Sequence, residues 1–236
     1  MMKIIQTHGR FKGLPWYENL QSVSILGAGG IGSWLALSLS RQGHQILIQD
    51  FDTVELHNLG GQLLAVSEIG KFKVSSVKKL ISILSPENAN KFFTSNTRIS
   101  ETNGSILPIT FSCFDNMAAR KIAFERWVNV TKMIGNDKKP CVFIDGRLLA
   151  EEFQVLVVKP TEEDIEKYRD TIFEDNSIPD EDCTAKSTTH CSMMIAGTMT
   201  ALFNNIVTNF FSDFQGRDVP FFTRVYLPMM MFEFKQ

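Results

Sequence analysis

One run constrains this chain before anything else does. Residues 23–64 read VSILGAGGIGSWLALSLSRQGHQILIQDFDTVELHNLGGQLL, and Gly27, Gly29 and Gly32 give the spacing G-x-G-x-x-G. An apolar run over 23–26 precedes the glycines. Trp34, Leu35, Leu37 and Leu39 follow them, and Gly43 supplies a stop. The pattern predicts strand, glycine turn and helix, then a second strand over 45–50 that ends on Asp50. A strand-helix-strand unit ending on an acid indicates an α/β sheet. Gly27 allows a tight turn, Gly29 lets backbone approach a phosphate, and Gly32 lets helix pack on strand. A helix starting near Ile31 would aim its N–H groups at an anion, and Asp50 stands where an acid accepts from ribose hydroxyls. The competing interpretation is a glycine-rich turn with no ligand. The fingerprint alone does not choose between NAD and another nucleotide.

The remaining chain extends the same alternation. Phe72, Val74, Val77, Leu80, Ile81 and Leu84 make a helical stripe, with Pro86 beyond it. Strands are expected over 91–96, 108–113, 141–145 and 153–159, with a helix over 116–130 between the second and third. Asp145-Gly146-Arg147 is read as part of the turn joining the last two strands. From Thr161 the composition turns acidic, which predicts a short helix and then a polar crossover loop, about 161–190 in all. A buried helix follows to Phe211, and residues 221–236 close the chain as a strand pair in which Pro228 marks an edge or a break. The expected fold is therefore one α/β domain over 1–236, with a Rossmann-like, mostly parallel sheet and helices on both faces. The crossover loop and the C-terminal strands are added to it.

Composition removes several function classes. A chain that is 44% hydrophobic and 21% charged is globular, not disordered. Its formal net charge of −2 gives no broad attraction to nucleic acid or anionic membrane. The most apolar segment, 193–211, is broken by threonines and asparagines and falls short of the ~18 apolar residues of a spanning helix. Residues 1–6 do not read as a signal peptide, so a cytoplasmic protein is expected. The four cysteines include no C-x-x-C pair, which argues against a cysteine zinc site and for free thiols.

The residues after the glycine turn sharpen the nucleotide question. Asp50-Phe51-Asp52-Thr53-Val54-Glu55 leads to Asn58-Leu59-Gly60-Gly61-Gln62, then Lys73 opens a helix and Asp115-Asn116 follows a strand. Two further acids, an amide and a cation thus stand near the rim where α/β sheets bind ligands, and an NAD dehydrogenase has no use for them. In this order the motifs resemble the ThiF/MoeB family of adenylating enzymes, small relatives of ubiquitin-activating enzymes, over roughly residues 20–150. The resemblance is to short members of phages and mobile elements in particular, where similar Asp-Gly-Arg turns occur.

The resemblance implies that Gly27, Gly29, Gly30 and Gly32 cradle ATP, that Asp50 holds the ribose, that Asn58 and Lys73 contact the phosphates, and that Asp52 also belongs to the nucleotide site. It also implies that Asp115 binds Mg²⁺. The implied reaction joins a carboxylate to the α-phosphate of ATP, with a ubiquitin-like or sulfur-carrier protein as partner and a homodimer as the assembly. A peptide or small-molecule acid is the alternative substrate, and a nucleotide- or partner-binding module without turnover is the alternative class.

One position departs from the family. The family pattern is N-L-x-R-Q, and Gly61 stands where its phosphate-contacting arginine would be. Lys71, Arg10, Arg120 and Arg147 are the candidate replacements. Cys183-Thr184 is similar to the thioester cysteine of ubiquitin-activating relatives, with Lys186 and His190 as groups that could lower its pKa. An inert loop thiol is the competing interpretation.

Overall fold

A computed structural model of the chain describes residues 11–134, 139–173, 188–212 and 216–236. Its centre is an eight-stranded sheet formed by β1 (Ser22–Leu26), β2 (Gln45–Gln49), β3 (Phe92–Ser95), β4 (Ile109–Ser112), β5 (Val142–Leu149), β6 (Glu152–Val158), β7 (Phe222–Tyr226) and β8 (Met231–Lys235). The strand order is β3-β2-β1-β4-β5-β6-β7-β8. The first five strands in that order run parallel, and β6, β7 and β8 add antiparallel to them. The parallel strands have apolar side chains on both faces, as burial on both sides requires.

The helices are α1 (Pro15–Glu18), α2 (Gly30–Gln42), α3 (Lys73–Leu84), α4 (Met117–Ile134), α5 (Glu162–Arg169) and α6 (Thr189–Phe211). One face of the sheet packs on α1, α2, α3 and α6, around Leu35, Leu39, Ile195 and Phe203. The other face packs on α4 and α5, where Phe124, Trp127, Phe143 and Tyr168 form an aromatic cluster. Gly43 ends α2 in the left-handed region at φ +93°, the conformation a glycine stop supplies.

The structure corrects one sequence expectation. Asp145-Gly146-Arg147 is not a turn but the middle of β5, which runs on to Leu149. The reversal comes later, at Ala150 and Glu151, where Ala150 takes φ +27° between paired Leu149 and Glu152. Gly146 is a strand residue because helices approach it closely. A Cβ there would lie 2.8 Å from Met199 Sδ and 3.2 Å from both Ile195 Cδ1 and Ile31 Cδ1. Glycine inside a strand marks such an approach as readily as it marks a turn. Pro228 lies in the short 3₁₀ turn Leu227–Met229 that breaks β7 from β8.

Candidate functional site

The strand order reverses at β1, with β2 on one side and β4 on the other. In an open α/β sheet, ligands bind outside the carboxyl ends of the strands at such a point. Gly27 N–H donates to Gln49 O at 2.8 Å, and Cys113 N–H donates to Leu26 O at 2.8 Å. The turn is therefore stitched to both neighbouring strands. Gly27 has φ +98°, and a Cβ on it would sit 2.8 Å from Cys113 O. Gly29 is different: a Cβ there would meet nothing nearer than Gln62 Nε2 at 3.9 Å. Its open side is where a ligand could approach the backbone.

Gly29 is also the N-cap of α2 and offers no side-chain cap. The first N–H groups of a helix have no partner within it, and with the helix dipole they suit an anion. The loop bearing Gly61 lies across this first turn. Trp34 Nε1 donates to Gly61 O at 3.0 Å, and Leu63 N–H donates to Ser33 Oγ at 2.9 Å. Thr189 at the start of α6 donates to Gly60 O. Ser33, Trp34 and Thr189 were not among the residues singled out by sequence, and their only signal is their place in the first turn of a helix.

Asp50 follows β2. Its Oδ2 accepts from Ala28 N–H at 2.7 Å and its Oδ1 from Asp52 N–H at 2.8 Å. Burial raises its carboxyl above the ordinary carboxylate range, and the two backbone donors act against that rise. Lys73 is the first residue of α3, the end at which the helix dipole disfavours a cation. Asp52 offsets this, with Oδ2 3.0 Å from Lys73 Nζ. Asn58 is buried in the 3₁₀ turn Leu56–Gly60, where its Oδ1 accepts from Glu55 N–H at 2.9 Å.

Asp115 lies two residues past Cys113, on the other side of the glycine turn, and is exposed. Its Oδ1 accepts from Asn116 Nδ2 at 3.1 Å. Asn116 caps α4, its Oδ1 accepting from Ala119 N–H at 2.8 Å. Among the described residues no group of three or more His, Cys, Asp or Glu could hold a metal ion alone. A nucleotide-borne Mg²⁺ needs only one or two carboxylates beside phosphate oxygens and water, and exposed Asp115 meets that requirement.

The candidate replacement cations are largely committed elsewhere. Lys71 Nζ lies 3.2 Å from Glu68, a carboxylate it shares with Lys79 and which is held down to about 2 chiefly by the Lys79 ammonium. Arg120 is buried. It bonds fully buried Asp145, Gly146 O at 3.0 Å and Phe114 O. Arg147 Nε takes the other oxygen of Asp145 at 2.9 Å, and its Nη2 donates to Thr171 Oγ1 at 2.8 Å. Asp145 is thus an anchor that sequence reading passed over. An acid set in the apolar run V-F-I-D is the signal that could have found it. Arg10, Cys183 and Lys186 lie outside the described residues. His190 in the first turn of α6 is half exposed, 3.7 Å from Glu151. Burial pushes the Cys191 thiol up to about 11 and raises Cys113 as well. Neither is a thiolate at neutral pH.

A largely parallel sheet carrying a glycine turn, an uncapped helix N-terminus, a buried acid and a lysine–carboxylate pair at its switch point has the architecture in which α/β domains bind nucleotides. Comparison with known proteins narrows that class. Residues 14–215 match the ThiF family over most of the chain, and the chain belongs to it.

It is 30% identical to ubiquitin-like modifier-activating enzyme 5 of Drosophila mojavensis over 121 residues, covering 44% of this chain and 30% of that one. It is also 30% identical to the Arabidopsis thaliana protein of the same description over 125 residues, covering 44% of this chain and 29% of that one. The aligned region thus spans under a third of those two relatives. Among solved structures, E. coli MccB with ATP superposes with a TM-score of 0.69 at 16% identity, over 91% of this chain and 63% of that one. PaaA superposes at 0.63 with 18% identity, over 94% of this chain and 64% of that one. These two likenesses show the fold. Among the described residues, no helix is long and apolar enough to cross a membrane.

Proposed function

We propose that residues 1–236 act as an ATP-dependent adenylation domain whose substrate is a carboxylate, in the first place the C-terminal glycine of a ubiquitin-like or sulfur-carrier protein. The observation that carries the reading is convergence. Gly29, Asp50, Asp52, Lys73 and Asp115 come from four separate stretches, and all stand at the carboxyl ends of β1, β2 and β4 or on the elements that follow them. The names of the curated relatives, and the ATP in the MccB structure, agree with it.

In this reading the open backbone at Gly29 and the N–H groups of α2 receive the phosphates, and Asp50 accepts from the ribose. Lys73, aimed by Asp52, offsets the repulsion as the substrate carboxylate nears the α-phosphate. The carboxylate oxygen bonds to the α-phosphorus, the bond to the bridging oxygen breaks, and pyrophosphate leaves with that electron pair. Asp115 would hold Mg²⁺, which when bound supplies charge neutralisation on the phosphate oxygens. In the adenylation step the protein acts by positioning and electrostatics and forms no covalent bond to the substrate. In a following step the Cys183 thiolate would attack the acyl carbon of the adenylate, forming a thioester as AMP leaves with the electron pair of the broken acyl–phosphate bond. A homodimer is the expected assembly, checked by light scattering.

One observation favours a second reading. Gly61 lacks the family arginine, and Lys71, Arg120 and Arg147 are committed to carboxylates. A module that holds nucleotide or partner without turnover would look like this. ATP–pyrophosphate exchange with carrier proteins and C-terminal peptides separates the two. Carboxylate-dependent exchange, lost in Asp115→Ala and Lys73→Ala, supports adenylation. ATP binding without exchange on any carboxylate supports the binding module, and NAD bound in place of ATP refutes adenylation.

A further inference from the structure

Arg98 differs from the arginines just described. Among the described residues it makes no ion pair, and its guanidinium carbon lies 4.1 Å from the centroid of the Phe51 ring. Both side chains are exposed, Phe51 by 42%. Phe51 directly follows Asp50. Arg98 lies three residues past Ser95, whose carbonyl accepts from Asp50 N–H at 3.1 Å. The pair therefore stands at the carboxyl end of β3, beside the acid proposed to hold the ribose.

The loop carrying Arg98 is built to hold still. Ile99 is buried next to it, and Arg126 on α4 donates to Ser100 O and Gly104 O, each at 2.8 Å, and to Asn103 O. Gln49 bonds Ser105 in both directions, at 2.6 and 2.8 Å. Thr97 accepts from Ser95 Oγ at 3.0 Å. An arginine on so fixed a loop loses little entropy when a ligand lies on it.

Strand order gives the direction. Phosphates at Gly29 lie over the end of β1, and a ribose at Asp50 lies over the end of β2, about 4.8 Å further along the sheet. The same line continued by one strand reaches the end of β3. We infer that Phe51 and Arg98 form the nucleobase wall of the site: a purine stacks on the Arg98 guanidinium on the side away from Phe51. This inference rests on the ATP-binding reading above. Guanidinium and aromatic planes both serve as stacking platforms for bases, and stacking of this kind requires a plane, not only a charge.

Calorimetric titration with ATP and, separately, inorganic tripolyphosphate, both with Mg²⁺, tests it on the full chain and on Phe51→Ala, Arg98→Ala and Arg98→Lys. Both residues are exposed, so the variants should fold. ATP affinity should fall about 5- to 150-fold in each variant, Arg98→Lys included, while tripolyphosphate affinity holds. Unchanged ATP affinity overturns the inference. Equal losses for ATP and tripolyphosphate overturn it too, since they place the pair on the phosphates. Full retention in Arg98→Lys reduces Arg98 to a point charge and refutes the stack. A wild-type chain that binds ATP no better than tripolyphosphate has no base subsite, and one that binds neither sinks the ATP reading along with this one.

Discussion

Gly29→Ala and Gly32→Ala add the same methyl group three residues apart and should fail in opposite ways. At Gly32 the new Cβ would lie 1.9 Å from Gly27 O and 2.9 Å from Gly27 C. A carbon approaches a carbonyl oxygen to about 3.3 Å, so α2 would have to retreat by roughly 1.4 Å. It has nowhere to go, because Leu35, Ala36 and Leu39 on the same helix are fully buried. Both colliding atoms are backbone, so no rotamer relieves the contact. Overpacking costs about 1–3 kcal/mol and more when backbone must move. The helix-propensity gain of alanine over glycine returns only about 1 kcal/mol.

A net loss of about 2 kcal/mol lowers Tm by roughly 4–8 °C for a chain of this size. At Gly29 the nearest atom is 3.9 Å away, an ordinary contact, so only the poorer capping of alanine is at stake and stability should fall by no more than about 1 kcal/mol. The methyl group would occupy the open side of the turn, and ATP affinity should fall at least tenfold. Thermal denaturation and calorimetric ATP titration of both variants decide the matter. If Gly32→Ala melts with the wild type, or Gly29→Ala binds ATP as the wild type does, the division between a packing glycine and a ligand glycine is wrong.

His44 gives a pH prediction. It is buried, accepts from Gln21 N–H at 3.1 Å, and burial lowers its imidazole from 6.5 to about 4. Because the folded value lies below the unfolded one, its contribution is complete above pH 6.5 and is lost as pH falls towards 4, by about 3 kcal/mol in all. Urea denaturation at pH 7 and 4.5 should show this loss, and a His44→Gln chain should show correspondingly less of it. Asp145→Asn leaves Arg120 without its charged partner in the core and should cost about 3–5 kcal/mol by the same assay. Gly61→Arg restores the family cation, and if adenylation is the activity, pyrophosphate exchange should rise at least tenfold. No rise would mean that charge at this position does not limit the rate.

What sequence reveals here divides along a physical line. The strands before the glycine turn and before Asp50, the stripe opening at Lys73 and the buried helix reaching Phe211 all stand close to where local pattern puts them. Their causes are local: apolar period, glycine stop and acidic or polar breaks. Local pattern misplaces Asp145-Gly146-Arg147 because its causes are not local. Gly146 is glycine on account of Met199, Ile195 and Ile31, which arrive from two other helices. Asp145 is tolerated in the core because Arg120 and Arg147 reach it from α4 and from the same strand.

The same limit applies to the missing arginine. That Gly61 lacks a cation is legible in one letter, but which basic residues remain to replace it depends on every carboxylate within reach after folding. The structure commits Arg120 and Arg147 to Asp145, a buried carboxylate whose partners are set only after folding. It leaves Arg98 against a phenyl ring, at the end of the sheet where a base would lie. A cation stacked there serves nucleobase recognition and cannot also serve the phosphates over β1. Either Arg10, outside the described residues, completes the phosphate site, or Lys73 and the α2 backbone act there alone. Arg10→Ala in the chain that keeps Gly61 distinguishes these: loss of exchange shows that Arg10 completes the phosphate site, and unchanged exchange leaves Lys73 and the α2 backbone acting there alone.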